Sequence, residues 1–148
     1  MTSTPTPAAP VSITAETFVS RVRAVLRAGG APRGWPKRQL DRWILLHAVG
    51  RRIGPAEELP EREANARIQN WLLGPGGVLG VDFVTLRRML VDEGFWDRED
   101  GGTRYRRSPR HERRVRFDTD LPDELDILTA AERDAAGRRE EYRGRAGR

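Results

Sequence analysis

Apolar residues recur at helical spacing along the first two thirds of the chain, then give way to two short strand-like runs. Phe18, Val22, Val25 and Leu26 mark a first helix. Thr14 is placed to cap it, Glu16 offsets its dipole, and Gly29–Gly30 ends it. Arg21, Arg23 and Arg27 fall on its other face and read as solvated. Trp35-Pro36 is an extended link. The next helix is predicted from about Lys37 to Ile53. Leu40, Trp43, Ile44, Leu46 and Ile53 form its stripe, and Leu45, Ala48 and Val49 widen it. A helix so apolar belongs at the centre of the fold.

A third helix opens at Pro60-Glu61-Arg62-Glu63 and turns Ala64, Ile68, Trp71 and Leu72 to one face. The glycine-rich LGPGGVLG interrupts the pattern. Asp82 then caps a fourth helix. Phe83, Leu86, Met89 and Leu90 point inward; Thr85, Arg87, Arg88 and Asp92 point outward; Gly94 is a left-handed C-terminal cap. Phe95–Arg98 and Thr103–Arg107 read as strands joined at Asp100-Gly101-Gly102. The predicted fold is therefore mainly α with a small β-hairpin, winged-helix-like, with loosely ordered termini. Residues 1–12 are expected to be a disordered tail, and 13–107 a helical domain ending in a hairpin wing. Residues 108–148 are a charged extension, with an exposed helix over 130–142 started by the capping box Thr129–Glu132.

Charge sharpens this picture at one place. The 148 residues carry 27 basic and 22 acidic side chains, a net charge of +5. Lys37 is the one lysine, and a GC-rich coding sequence accounts for that overall bias. It does not account for the block Arg104–Arg116, which the acidic run Asp118–Asp126 follows. That block reads as a phosphate-tracking arm, as an arm folded back on the acidic run, or as a solvated run. With 0 cysteines, disulfides, thiol catalysis and Cys-type zinc sites are excluded. A cytoplasmic location is expected. The opening MTSTPTPAAPVS lacks the basic start and apolar run of a signal peptide, and Trp43–Val49 is too short to cross a bilayer. No membrane association is expected.

Candidate chemistry is sparse. His47 lies on the apolar second helix and reads as a core-edge residue; with His111 it makes no zinc site. Glu61 and Glu63 face different sides of a helix, so acid–base catalysis is not expected. No metal, cofactor or enzymatic activity is expected. The candidate nucleic-acid contacts are Thr85, Arg87, Arg88, Arg98, Arg104, Arg106, Arg107, Arg110, Arg113 and Arg114. Glu61, Glu63, Asn65 and Asp92 are the candidate structural network. Arg87 and Arg88 read either as groove or phosphate contacts or, for at least one of them, as an inward pair to Glu61, Glu63 or Asp92; adjacent helix positions point about 100° apart, so both readings can hold.

The segment Pro36–Tyr105 resembles the bacterial domain-of-unknown-function 2087 family. Pro36 and Lys37 match its start, and Glu61, Glu63 and Asn65 match its E-x-E-V-N. Asp82, Leu86, Arg87, Arg88, Leu90, Val91, Asp92, Gly94, Arg98 and Tyr105 match its final L-R-R-x-L-V-D-x-G pattern. The chain departs from the family at Leu59-Pro60, at Ala64 and in the glycine-rich insertion. Fusions of such domains to helix-turn-helix regulators imply a regulatory or nucleic-acid context and no established activity. DNA or RNA is thus the first expected partner. A protein docking on residues 108–148 is the alternative.

Overall fold

The computed structural model describes residues 8–27, 33–101 and 103–146. The first seven residues of the expected tail, the Gly29–Gly30 pair and Gly102 lie outside the described residues. Val11–Ile13 forms a strand, β1, where the sequence suggested tail. Ile13 is buried, and that burial holds the segment to the body. Helix α1 spans Ala15–Leu26; the Thr14 side chain accepts from Thr17 N, and Phe18, Val22 and Leu26 are buried as expected.

Helix α2 spans Gln39–Gly50, shorter at both ends than the apolar stripe implied. It buries Ile44, Leu45, Leu46, Ala48 and Val49, which makes it the central helix. A short strand missed in the sequence, β2, covers Glu58–Pro60. Pro60 then serves as the N-cap of α3, Glu61–Leu73, which buries Ala64, Ile68 and Trp71. The glycine-rich insertion forms a 3-10 turn, Pro75–Leu79. Its Gly76 lies under the Trp71 ring, where a Cβ would come within 2.3 Å of a ring carbon. A side chain there displaces the indole.

Helix α4, Phe83–Asp92, starts where Asp82 accepts from Thr85 N and buries Leu86 and Leu90. Gly94 follows with φ +82°, as its predicted left-handed cap requires. Strands β3, Trp96–Arg98, and β4, Arg104–Arg107, make the expected hairpin. Because β2 adds to β4, the sheet has three antiparallel strands in the order β2-β4-β3. Leu59 pairs with Tyr105 and Tyr105 with Arg98 in register. Leu59, Trp96 and Tyr105 turn to the helices and are buried, so the hairpin leans on the core that a two-stranded ribbon needs.

The extension is less exposed than the sequence implied. After a 3-10 turn at Arg110–Arg113, Val115–Phe117 forms β5, which pairs in parallel with β1. Asp118 then accepts from Ala15 N at 2.9 Å, giving α1 a second cap from the far end of the chain. The last helix, α5, runs Glu124–Ala146, starting ahead of the predicted capping box. Its first turns bury Glu124 and Ile127, while positions beyond them are largely exposed. The buried residues belong to the turns that precede the predicted 130–142 segment, which is itself exposed apart from half-buried Ala131 and Ala135.

Candidate nucleic-acid interface

Arg87 and Arg88 are adjacent on α4, so their side chains leave the helix about 100° apart. Arg87 turns toward α3. Its Nη1 lies 2.7 Å from Asn65 Oδ1 and 3.0 Å from Glu61 Oε1, and its guanidinium lies 5.7 Å from the Tyr105 ring centre. This cation ties α4 to α3 and β4. Arg88 is exposed beside exposed Thr85, and Asp92 lies one turn further on. The carboxylate of Asp82 is held below its ordinary range by the Thr85 backbone N–H and hydroxyl, then by Val84 N–H and the Arg88 charge.

The sheet divides its arginines between two faces. Arg107 points inward with Trp96 and Tyr105, donating from Nε to Ile53 O at 2.6 Å and from Nη2 to Arg51 O at 3.4 Å. On the outer face Arg104 pairs with Glu58 at 3.4 Å, and Arg106 lies in register between Glu58 and Asp97. Arg110 covers Asp97 at 2.7 Å and also donates to the carbonyls of Val91 and Trp96. Arg114 reaches Glu93 at 2.7 Å. Opposite charges thus alternate across this face, and it is not a continuous positive surface.

Of the ten nucleic-acid candidates, Arg87, Arg104, Arg107, Arg110 and Arg114 are engaged within the fold. Arg88, Arg98, Arg106 and Arg113 are exposed and form no ion pair among the described residues. Thr85 is exposed through its side chain while its N–H caps onto Asp82. The candidate network also divides. Glu61 and Asn65 meet Arg87, Glu63 instead meets Arg67 at 3.3 Å, and Asp92 is exposed.

The arginine block does not fold onto the acidic run that follows it. Its Arg110 and Arg114 pair with β3 and the end of α4, whereas Asp123 and Glu124 pair with Arg51 and Arg52 after α2. Glu124 is fully buried, accepts from Trp71 Nε1 at 2.8 Å and Arg51 Nη2 at 3.0 Å, and forms an ion pair with Arg52 at 3.2 Å. Burial pushes the Asp123 carboxyl up, but the Arg52 hydrogen bond, Leu125 N–H and the charges of Arg52 and Arg51 outweigh it and hold it low. Nearer the N-terminus, Arg21 makes two 2.8 Å bonds to buried Asp41, and Arg23 lies 3.7 Å from Asp134. That face of α1 is therefore not merely solvated.

Aromatic packing brings the two histidines to one place. His47 stacks on Phe117 at 3.9 Å and His111 on Phe95 at 4.1 Å. His47 is partly buried; burial, then the charges of Arg51, His111 and Arg107, lower its pKa to about 3. Among the described residues no group of three or more His, Asp or Glu side chains is arranged to hold a metal. No helix among them is long and apolar enough to cross a membrane.

Residues 33–107 match the bacterial family described as "Uncharacterized protein conserved in bacteria (DUF2087)". The chain belongs to this family. No curated protein and no solved structure matches it. The DUF2087 match covers α2 through β4 and leaves β1, α1, β5 and α5 outside. Within the DUF2087 core, Glu61 and Asn65 from the E-x-E-V-N motif, Arg87 from the L-R-R-x-L-V-D-x-G motif and Tyr105 form a single contact. These motif residues fasten α3, α4 and the sheet together.

Proposed function

We propose that the DUF2087 core is a non-enzymatic, winged-helix-like regulatory module of the cytoplasm that contacts nucleic acid through the outward side of α4 and the exposed arginines Arg98, Arg106 and Arg113. The order helix, strand, helix, helix, hairpin, with the first strand added beside the second hairpin strand, supports the winged-helix reading. Its main support is the division of labour on α4: Arg87 anchors the helix, while Arg88 is exposed without an ion pair among the described residues beside Thr85, which is exposed and capped onto Asp82. Arg98, Arg106 and Arg113 supply the remaining phosphate contacts. The alternating charges of the outer sheet face favour modest, salt-sensitive binding over a tight clamp.

Fluorescence anisotropy with labelled duplex DNA and structured RNA across a salt series tests this reading. Binding is expected to weaken linearly on a log–log salt plot. Arg88→Ala with Arg98→Ala is expected to lower the slope by about two, one per lost phosphate contact. Absence of binding at about 50 mM salt, where such contacts are strong, overturns the reading.

The exposed end of α5 supports a second reading. Tyr142 is 75% exposed and lies well beyond the buried Ile127. A protein partner would use this last part of α5, because the segment up to Leu128 is already packed on the body. A partner retained after nuclease treatment and lost on removal of residues 131–148 favours this alternative.

A further inference from the structure

The two stacked histidines flank a cleft that the nucleic-acid reading does not use. Two adjoining cavities, of about 300 and 400 Å³, share His47, His111 and Glu112. Arg51, Arg107, Phe95, Pro55 and Pro109 line the first; Arg116, Phe117 and Asp118 line the second. The cleft thus has apolar walls and several cations, which is the composition of a small-molecule site.

The charges around it are unevenly satisfied. Arg51 is taken by Glu124, and Asp118 is taken by the first turn of α1. Glu112 is exposed, and Arg116 is exposed on β5. Arg107 differs from both of these arginines. It is partly buried, its bonds go to two neutral carbonyls, and it forms no ion pair among the described residues. Burial, then repulsion from Arg51 and Arg52, pulls its pKa down, with Glu57 opposing. Glu57 itself is occupied by Arg67 at 2.8 Å. A partly buried guanidinium without a counter-charge favours a bound anion.

His111 adds directionality. Its Nδ1 lies 3.0 Å from Gly94 O, so in the neutral ring that nitrogen carries the hydrogen and Nε2 is left over. Stacking on Phe95 fixes the ring plane.

We propose that this cleft binds a small organic anion whose carboxylate or phosphate group meets Arg107 and whose apolar body lies against the rings of His111 and Phe95 and against Pro109. The site is separate from the outward side of α4, so its occupancy can be measured without nucleic acid.

Histidine Cε1–H resonances give a direct readout. Sodium benzoate, inorganic phosphate and benzyl alcohol serve as probes of the whole anion, its charged part and its apolar part. Benzoate is expected to shift the His47 and His111 signals along a saturable curve, phosphate to do so more weakly, and benzyl alcohol to leave them in place. Arg107→Ala is expected to weaken benzoate binding by about tenfold or more. His111→Gln, which leaves the Arg107 bonds to Ile53 and Arg51 in place, is the second variant and is expected to weaken it as well. Arg133→Ala, on the exposed side of α5, is expected to change nothing. Non-saturating shifts with every probe overturn the proposal, as does saturable binding unchanged in both the Arg107 and the His111 variant.

Discussion

Arg87 of α4 donates to Asn65 of α3 across 2.7 Å, and its neighbour Arg88 is left free on the outward side of the same helix. Two identical adjacent side chains therefore do different work. Arg87→Ala removes a charged hydrogen bond, an ion pair to Glu61 and the contact with Tyr105. Urea unfolding is expected to show a loss of about 1–3 kcal/mol. Arg88→Ala is expected to stay within about 0.5 kcal/mol of the parent, as exposed substitutions usually do. Equal losses in the two variants contradict this assignment.

Glu124 is the point at which α5 joins the body. It is buried against Trp71, Arg51 and Arg52. Glu124→Ala leaves partly buried Arg51 without its ion pair, Arg52 with Asp123 alone and an indole N–H without its acceptor, with an expected cost of about 3–5 kcal/mol. Glu124→Gln keeps an acceptor for Trp71 and is expected to cost less. Chemical denaturation of both variants checks the order, and a neutral Glu124→Ala contradicts it.

At Gly94 the backbone has φ +82°, and an added Cβ would lie 2.9 Å from both Arg110 Cβ and His111 N. Gly94→Ala combines a left-handed backbone with a collision against the turn that carries His111. Its expected destabilisation exceeds about 1 kcal/mol. A thermal melt is sufficient to detect that loss.

The stability of the fold is expected to depend on His47. Its folded pKa is about 3, below the ordinary histidine range, so the unfolded chain takes up the proton first as pH falls. Stability is therefore lost between about pH 6.5 and pH 3, with a slope of up to about 1.4 kcal/mol per pH unit. Glu57, held at about 2 by the Arg67 hydrogen bond and then Gly54 N–H, adds a loss below about pH 4.5, the ordinary glutamate range. Unfolding measured from pH 7 to pH 4 in the parent and in His47→Gln separates the two. The variant is expected to be flatter above about pH 4.5, and an identical profile contradicts the account.

What the sequence made legible was local. The Asp82 cap, the left-handed Gly94 and the buried faces of α1, α3 and α4 depend on residues within a turn or two of one another. Strands β1, β2 and β5 were not legible, because each exists through a distant partner. Glu58–Pro60 ends in proline and shows a single apolar residue, Leu59, which becomes a strand position only opposite Tyr105. Likewise Val11–Ile13 needs Val115–Phe117 beside it. Charge pairing was equally opaque: the arginine block and the acidic run are neighbours in sequence, yet each finds its partners in other elements. Leu121, Ile127 and Leu128 were the available signal that the acidic run returns to the core.

In the proposed interface Arg87 anchors the α4 surface, and Thr85 and Arg88 meet the nucleic acid. Backbone amide shifts recorded while duplex DNA is added to the full chain test it most directly. Shifts are expected to concentrate at Thr85, Arg88, Arg98 and Arg106 and to fade as salt is raised, with the Asn65 and Glu61 amides little changed. Shifts confined to the end of α5 around Tyr142, or no shifts at low salt, would contradict it.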